Sequence, residues 1–78
     1  MTKYAFYTTE GCHLCEQAWE LVTGLGLTSE MTPIEIIHDE ADIARYGIRI
    51  PVIKNNVNDK EIGWPFDSDE LANFVAQD

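Results

Sequence analysis

Two cysteines stand between a stretch of strand character and a stretch of helical character, in the run Cys12-His13-Leu14-Cys15. That junction constrains the fold more than any other feature of the chain. Residues 3–8 (Lys-Tyr-Ala-Phe-Tyr-Thr) are rich in aromatic and β-branched side chains and read as a first strand. Thr9-Glu10-Gly11 reads as a turn. From residue 12 to about residue 23, Leu14, Ala18, Leu21, Val22 and Leu25 recur at helical spacing, with Glu16, Gln17 and Glu20 on the other side. Gly24 and Gly26 end this helix.

The remaining elements follow from similar local signals. Residues 28–33 read as a loop, and residues 34–38 as a short strand with Ile36 and Ile37 buried side by side. Asp39 is placed to cap a short helix over 41–46, which Gly47 stops. Residues 48–54 regain strand character around Pro51, 55–59 form a hairpin turn, and 60–63 its partner strand. Trp64-Pro65-Phe66 is a loop. A last helix starts at Asp67 or Ser68 and turns Leu71, Phe74 and Val75 inward. The order βαβαββα predicts an α/β domain, with a right-handed parallel βαβ unit followed by a hairpin and a covering helix. The result is a four-stranded mixed sheet flanked by three helices.

The chain has 78 residues, enough for a single domain over 1–78 and for no second one. A domain this small buries only about 60% of its unfolded surface, yet 45% of its residues are hydrophobic, which supplies a core without staples. Fourteen acidic residues against five basic ones give a net charge of −9. Lys3, Arg45, Arg49, Lys54 and Lys60 form no block, so nucleic acid and anionic membrane surfaces are not expected as partners. The N-terminal segment carries no signal-peptide pattern and no stretch approaches a membrane span, so the chain is expected in the cytoplasm, as a monomer. In a reducing compartment a close cysteine pair is more often catalytic or metal-binding than a structural staple.

The placement of the pair has a chemical reason. The attacking species in disulfide exchange is the thiolate. A helix N-terminus offers unpaired N–H groups and partial positive charge, both of which favour the anion. Cys12 is therefore the expected nucleophile. Residues three apart on a helix share a face, so Cys15 can reach Cys12 and resolve a mixed disulfide. His13 beside the thiolate adds further stabilisation when protonated. The plain alternative is two buried thiols that only pack. A zinc site with His38 would still lack ligands for a closed tetrahedron. A cluster bridged between subunits, or a redox-silent interaction domain, are further alternatives on the same fold. Trp19, Trp64 and Phe66 read either as core or as an apolar edge for a partner.

Tyr7-Thr8-Thr9-Glu10-Gly11-Cys12-His13-Leu14-Cys15 and Arg45-Tyr46-Gly47-Ile48-Arg49-Ile50-Pro51-Val52 together resemble the glutaredoxins and their short thioredoxin-fold relatives. The chain is most similar to a glutaredoxin-like family of short proteins with Gly-Cys-His-Leu-Cys and Arg-Ile-Pro-Val runs. The resemblance implies a thioredoxin fold and a cis Ile50–Pro51 peptide beside Cys12, and Ile50 backbone groups offered to the substrate. It also implies thiol–disulfide exchange with protein or glutathione disulfides. No bound cofactor or metal is expected; glutathione is a candidate co-substrate and a reductase a candidate electron donor. Thr9 stands where many glutaredoxins have a lysine that helps hold glutathione. Gly63-Trp64-Pro65-Phe66-Asp67 stands where they have a Gly-Gly pair and an acid. Phe6 takes the position of the buried acid of thioredoxins. Arg49 is a candidate replacement for the lysine, acting on the thiolate or on a substrate carboxylate; the alternative is a solvated surface arginine.

Overall fold

A computed structural model describes residues 2–76. Its elements are β1 (Tyr4–Thr8), α1 (His13–Gly24), β2 (Met31–Glu35), α2 (Glu40–Tyr46), β3 (Val52–Asn55), β4 (Glu61–Gly63) and α3 (Ser68–Ala76). Single turns of 3₁₀ helix at Thr28–Glu30 and Ile36–His38 flank β2. The expected βαβαββα order is the one the chain adopts. The sheet runs β2-β1-β3-β4. β1 pairs parallel with β2 and antiparallel with β3, and β3 pairs antiparallel with β4.

Side-chain alternation along β1 divides the interior in two. Tyr4 and Phe6 point to one face, where they pack with Cys15, Ala18 and Val22 of α1, Ile53 of β3, Leu71 of α3, and Phe66 of the loop before α3. Ala5 and Tyr7 point to the other, with Ile36, Tyr46 at the end of α2, and Val52. On this second face Tyr7 and Tyr46 stack with ring centroids 4.2 Å apart. The Tyr46 hydroxyl donates to the Glu61 carboxylate, and the Arg49 guanidinium lies over the Tyr46 ring.

The helix ends are local chemistry. Asp39 accepts from the Ala41 N–H at 2.8 Å at the start of α2. Asp67 and Glu70 form a reciprocal capping box on α3, with Glu70 N–H to Asp67 Oδ1 at 2.8 Å and Asp67 N–H to Glu70 Oε1 at 3.2 Å. α1 closes on a Schellman arrangement. Leu27 N–H reaches Val22 C=O and Gly26 N–H reaches Thr23 C=O, both at 3.0 Å. Gly26 supplies the required positive φ of 72°.

Several expectations are corrected. The second strand is Met31–Glu35, not 34–38. Pro33 lies inside it, and β2 is an edge strand, where a residue without an N–H is tolerated. The residues expected to continue that strand turn as 3₁₀ helix, and Ile37 is 64% exposed while Ile36 is buried. The third strand starts at Val52 rather than 48, and Ile48 is fully exposed. Leu14 and Leu25, read as inward, are 45% and 37% exposed. Among the described residues no helix is long and apolar enough to cross a membrane.

Candidate functional site

Cys12 is the N-cap of α1, in extended backbone conformation. Its Sγ accepts the Cys15 N–H at 3.1 Å, the bond that a serine or aspartate oxygen makes at most helix starts. Its carbonyl accepts the first helical bond, from Glu16 N–H at 3.1 Å. The Sγ atoms of Cys12 and Cys15 stand at bonding distance as a disulfide, with Cα atoms 5.2 Å apart. That separation is ordinary for a bridged pair. The two sulfurs differ in access: Cys12 is half-buried at the rim of the core, whereas Cys15 is 4% exposed and belongs to it.

A hollow of about 380 Å³ opens beside the pair, and Phe6, Trp19 and Pro33 line it together with Cys12, Cys15 and the acidic Glu10 and Glu16. Trp19 meets Phe6 edge to face, centroids 5.1 Å apart, and Pro33 is the register partner of Phe6 across the β1–β2 pair. Gly11, at φ 79°, turns the chain from β1 into the cap residue.

Glu35, at the end of β2, ties down this loop. Its Oε1 accepts the Glu10 N–H at 2.9 Å and its Oε2 accepts the Ile37 N–H at 3.1 Å. The Ile37 N–H above all, then the Thr9 hydroxyl and the Glu10 N–H, hold its carboxyl below the usual carboxylate range. The carboxylate thus bridges the segment before Cys12 to the segment after β2.

The other sequence-derived site residues take varied places. The Ile50–Pro51 peptide is cis, as the resemblance implied, and so is Trp64–Pro65. Pro51 is buried at the entrance to β3 and its carbonyl accepts the Trp64 N–H at 3.1 Å. Ile50 packs against both cores, sharing the first with Cys12. The Ile50 N–H is donated to the Tyr46 carbonyl at 3.0 Å. Arg49 is drawn to the opposite face, 3.5 Å from Glu61 and over Tyr46, and does not line the hollow. His13 stands at the surface with its Nδ1 3.5 Å from Glu16. His38 is exposed. Among the described residues no group of three or more His, Cys, Asp or Glu is arranged to hold a metal ion. Trp19, Trp64 and Phe66 pack on the core. Sequence reasoning missed Pro33 and Glu35. Pro33 reaches the site only through strand pairing, and Glu35 only through a bond spanning 25 positions.

Comparison with known proteins agrees with this geometry. The X-ray structure of target protein XcR50 from X. campestris is 29% identical, covering 96% of this chain and 97% of that one, with a TM-score of 0.86. The solution structure of protein Ne2328 from Nitrosomonas europaea is 32% identical, covering 92% and 88%, with a TM-score of 0.76. Thioredoxin 1 from Thermosipho africanus TCF52B shares 13% identity over 97% and 92%, with a TM-score of 0.63, and shows the fold alone. No curated protein matches the chain. Residues 3–76 match the family described as Glutaredoxin-like domain (DUF836). A thioredoxin-type sheet with a cysteine pair at the start of its first helix therefore stands here in a chain that belongs to that glutaredoxin-like family.

Proposed function

We propose that this protein is a thiol–disulfide oxidoreductase in which Cys12 attacks and Cys15 resolves. The observation that carries the reading is the asymmetry of the pair. The half-buried Cys12 sulfur receives the Cys15 N–H at the positive end of α1, while the Cys15 sulfur is sealed in the core at disulfide distance from it. A helix start favours the thiolate over the thiol. The first sulfur to meet a substrate is thus the better nucleophile.

In the reduced protein the Cys12 thiolate attacks one sulfur of a substrate disulfide. A Cys12–substrate bond forms, the substrate S–S bond breaks, and the departing thiolate takes a proton. Cys15 then loses its proton and attacks the Cys12 sulfur, releasing the second substrate thiol. Two electrons pass from the protein dithiol to the substrate. A thiol or dithiol reductant restores the pair. Glutathione and a dedicated reductase are the two candidates for that step, and the cytoplasm is the compartment that supplies either.

The test is Cys15→Ser. It keeps the attacking sulfur and removes the resolving one, so a Cys12–substrate mixed disulfide should accumulate and be visible by mass spectrometry. No adduct on Cys12, with substrate thiol still released at the original rate, would contradict the assigned roles.

A further inference from the structure

Resting on the exchange reading above, we propose that the substrates are disulfides of basic polypeptides, with an apolar residue beside the reacting cysteine, rather than glutathione disulfide. Three observations combine. The hollow next to Cys12 is lined in part by the apolar side chains of Phe6, Trp19 and Pro33. Its volume of about 380 Å³ sits at the small end of the range for ligand pockets, roughly 300–1,000 Å³. An apolar side chain flanking the substrate cysteine fits such a space.

The charged side chains that line it are all acidic, and His13 stands outside it, 3.5 Å from Glu16. Glu10 and Glu16 are exposed at its edge. Glu35 stands behind the loop. All five lysine and arginine side chains lie elsewhere. Arg45 and Arg49 are over Tyr46 on the opposite face of the sheet, and Lys3 is over Tyr4 at the far end of β1. Lys54 is 3.6 Å from Asp59 in the β3–β4 hairpin, and Lys60 belongs to the same turn. The whole chain, at −9, extends that negative field.

Glutathione presents two carboxylates and one ammonium, and its disulfide doubles both. Nothing cationic lines the hollow to receive those carboxylates. A lysine- or arginine-flanked disulfide meets Glu10 and Glu16 instead, and is steered to Cys12. The exchange is the balanced one already written. The substrate disulfide gains two electrons and two protons, Cys12 and Cys15 become a disulfide, and an external dithiol reverses it.

The experiment compares four disulfides as oxidants of the reduced protein in single turnovers, read by thiol trapping. Three are dimers of one peptide, with leucine next to its cysteine and flanks of two lysines, two glutamines or two glutamates. The fourth is glutathione disulfide. At low ionic strength the lysine peptide should outrun the glutamate peptide by roughly tenfold or more, with glutathione disulfide ranked beside the glutamate peptide. In high salt, and in the Glu10→Gln/Glu16→Gln double variant, that ratio should fall toward one. Replacing the peptide's leucine by serine should slow all three peptides. Equal rates for the peptides, a preference for glutathione disulfide, or a ratio unmoved by the double variant would overturn the assignment and leave the exchange reading standing. If none of the four oxidises Cys12 and Cys15, both fall together.

Discussion

The two faces of the sheet meet along β1, yet they are finished in opposite ways. On the α1 face, Phe6 and Trp19 leave a hollow beside a reachable sulfur, and Glu10 and Glu16 stay in water. On the α2 face, Tyr7 and Tyr46 stack, Glu61 takes the Tyr46 hydroxyl, and Arg49 covers the ring. Among the described residues no buried side-chain nitrogen or oxygen lacks a hydrogen-bond partner, and Tyr46 is wholly buried. Aromatic burial with a satisfied hydroxyl contributes stability without offering a site. The lesson is a division of labour. The closed face anchors the sheet, and the open face can then keep a half-buried sulfur beside a hollow.

The largest effect expected from this contrast is chemical. Cys12→Ser should reduce disulfide exchange to background while the domain still melts near the wild-type temperature, because serine is a good helix cap in the same position. An activity assay paired with thermal unfolding checks both halves. Tyr46→Ala should do the reverse. It should cost about 3–5 kcal/mol in denaturant unfolding, and the milder Tyr46→Phe about 1 kcal/mol for the lost hydrogen bond to Glu61. In Tyr46→Phe the reduction midpoint of the cysteine pair should hold. A shifted midpoint would mean that the faces are coupled and would break the comparison.

Glu35 sharpens it, since that carboxylate belongs to the loop of the open face. Its pKa lies below the ordinary value in the fold, held there first by the Ile37 N–H. Its contribution is therefore complete above the ordinary carboxylate range and is lost as pH falls through the lowered value. Glu35→Gln should be less stable than wild type at neutral pH, and the two should converge in acid. Urea midpoints measured across that range follow the gap; a gap independent of pH would remove the carboxylate's role. The smallest effect is spectroscopic. Burial first, then the bond to Glu61, pushes the Tyr46 phenol up to about 12. The ultraviolet difference between wild type and Tyr46→Phe should show this ionisation only near that pH. The stability tied to the neutral phenol, full below its ordinary value, should drain away as pH rises through it. Ionisation near the ordinary tyrosine value would show the second face to be looser than described.

What could be read from the sequence was what short-range chemistry decides. The cysteine pair at a strand–helix junction, the Asp39 cap, the start at Asp67, and the Gly26 stop each depend on neighbours a few positions away. The resemblance in two motifs supplied the cis Ile50–Pro51 bond and the fold. What escaped was set by distant pairing. Pro33 looks like a loop residue until β2 is known to be an edge strand. Ile37 looks buried until the chain turns after Glu35. Arg49 lies near Pro51 in sequence, but Tyr46 and Glu61 draw it to the other side of the sheet. Leu14 fits a helical stripe, yet it is 45% exposed while its neighbour Cys15 takes the buried position of the first turn.

The central claim is that Cys12 and Cys15 form a reversible two-electron couple. The most direct measurement is a redox titration of the purified protein in buffers of defined thiol–disulfide ratio, read by thiol trapping. The account predicts one transition in which both thiols disappear together as an intramolecular disulfide. Its midpoint should fall between those of thioredoxin and glutaredoxins, about −270 to −200 mV. Thiols that remain free across the whole range, or that are lost one at a time as separate adducts, would contradict it.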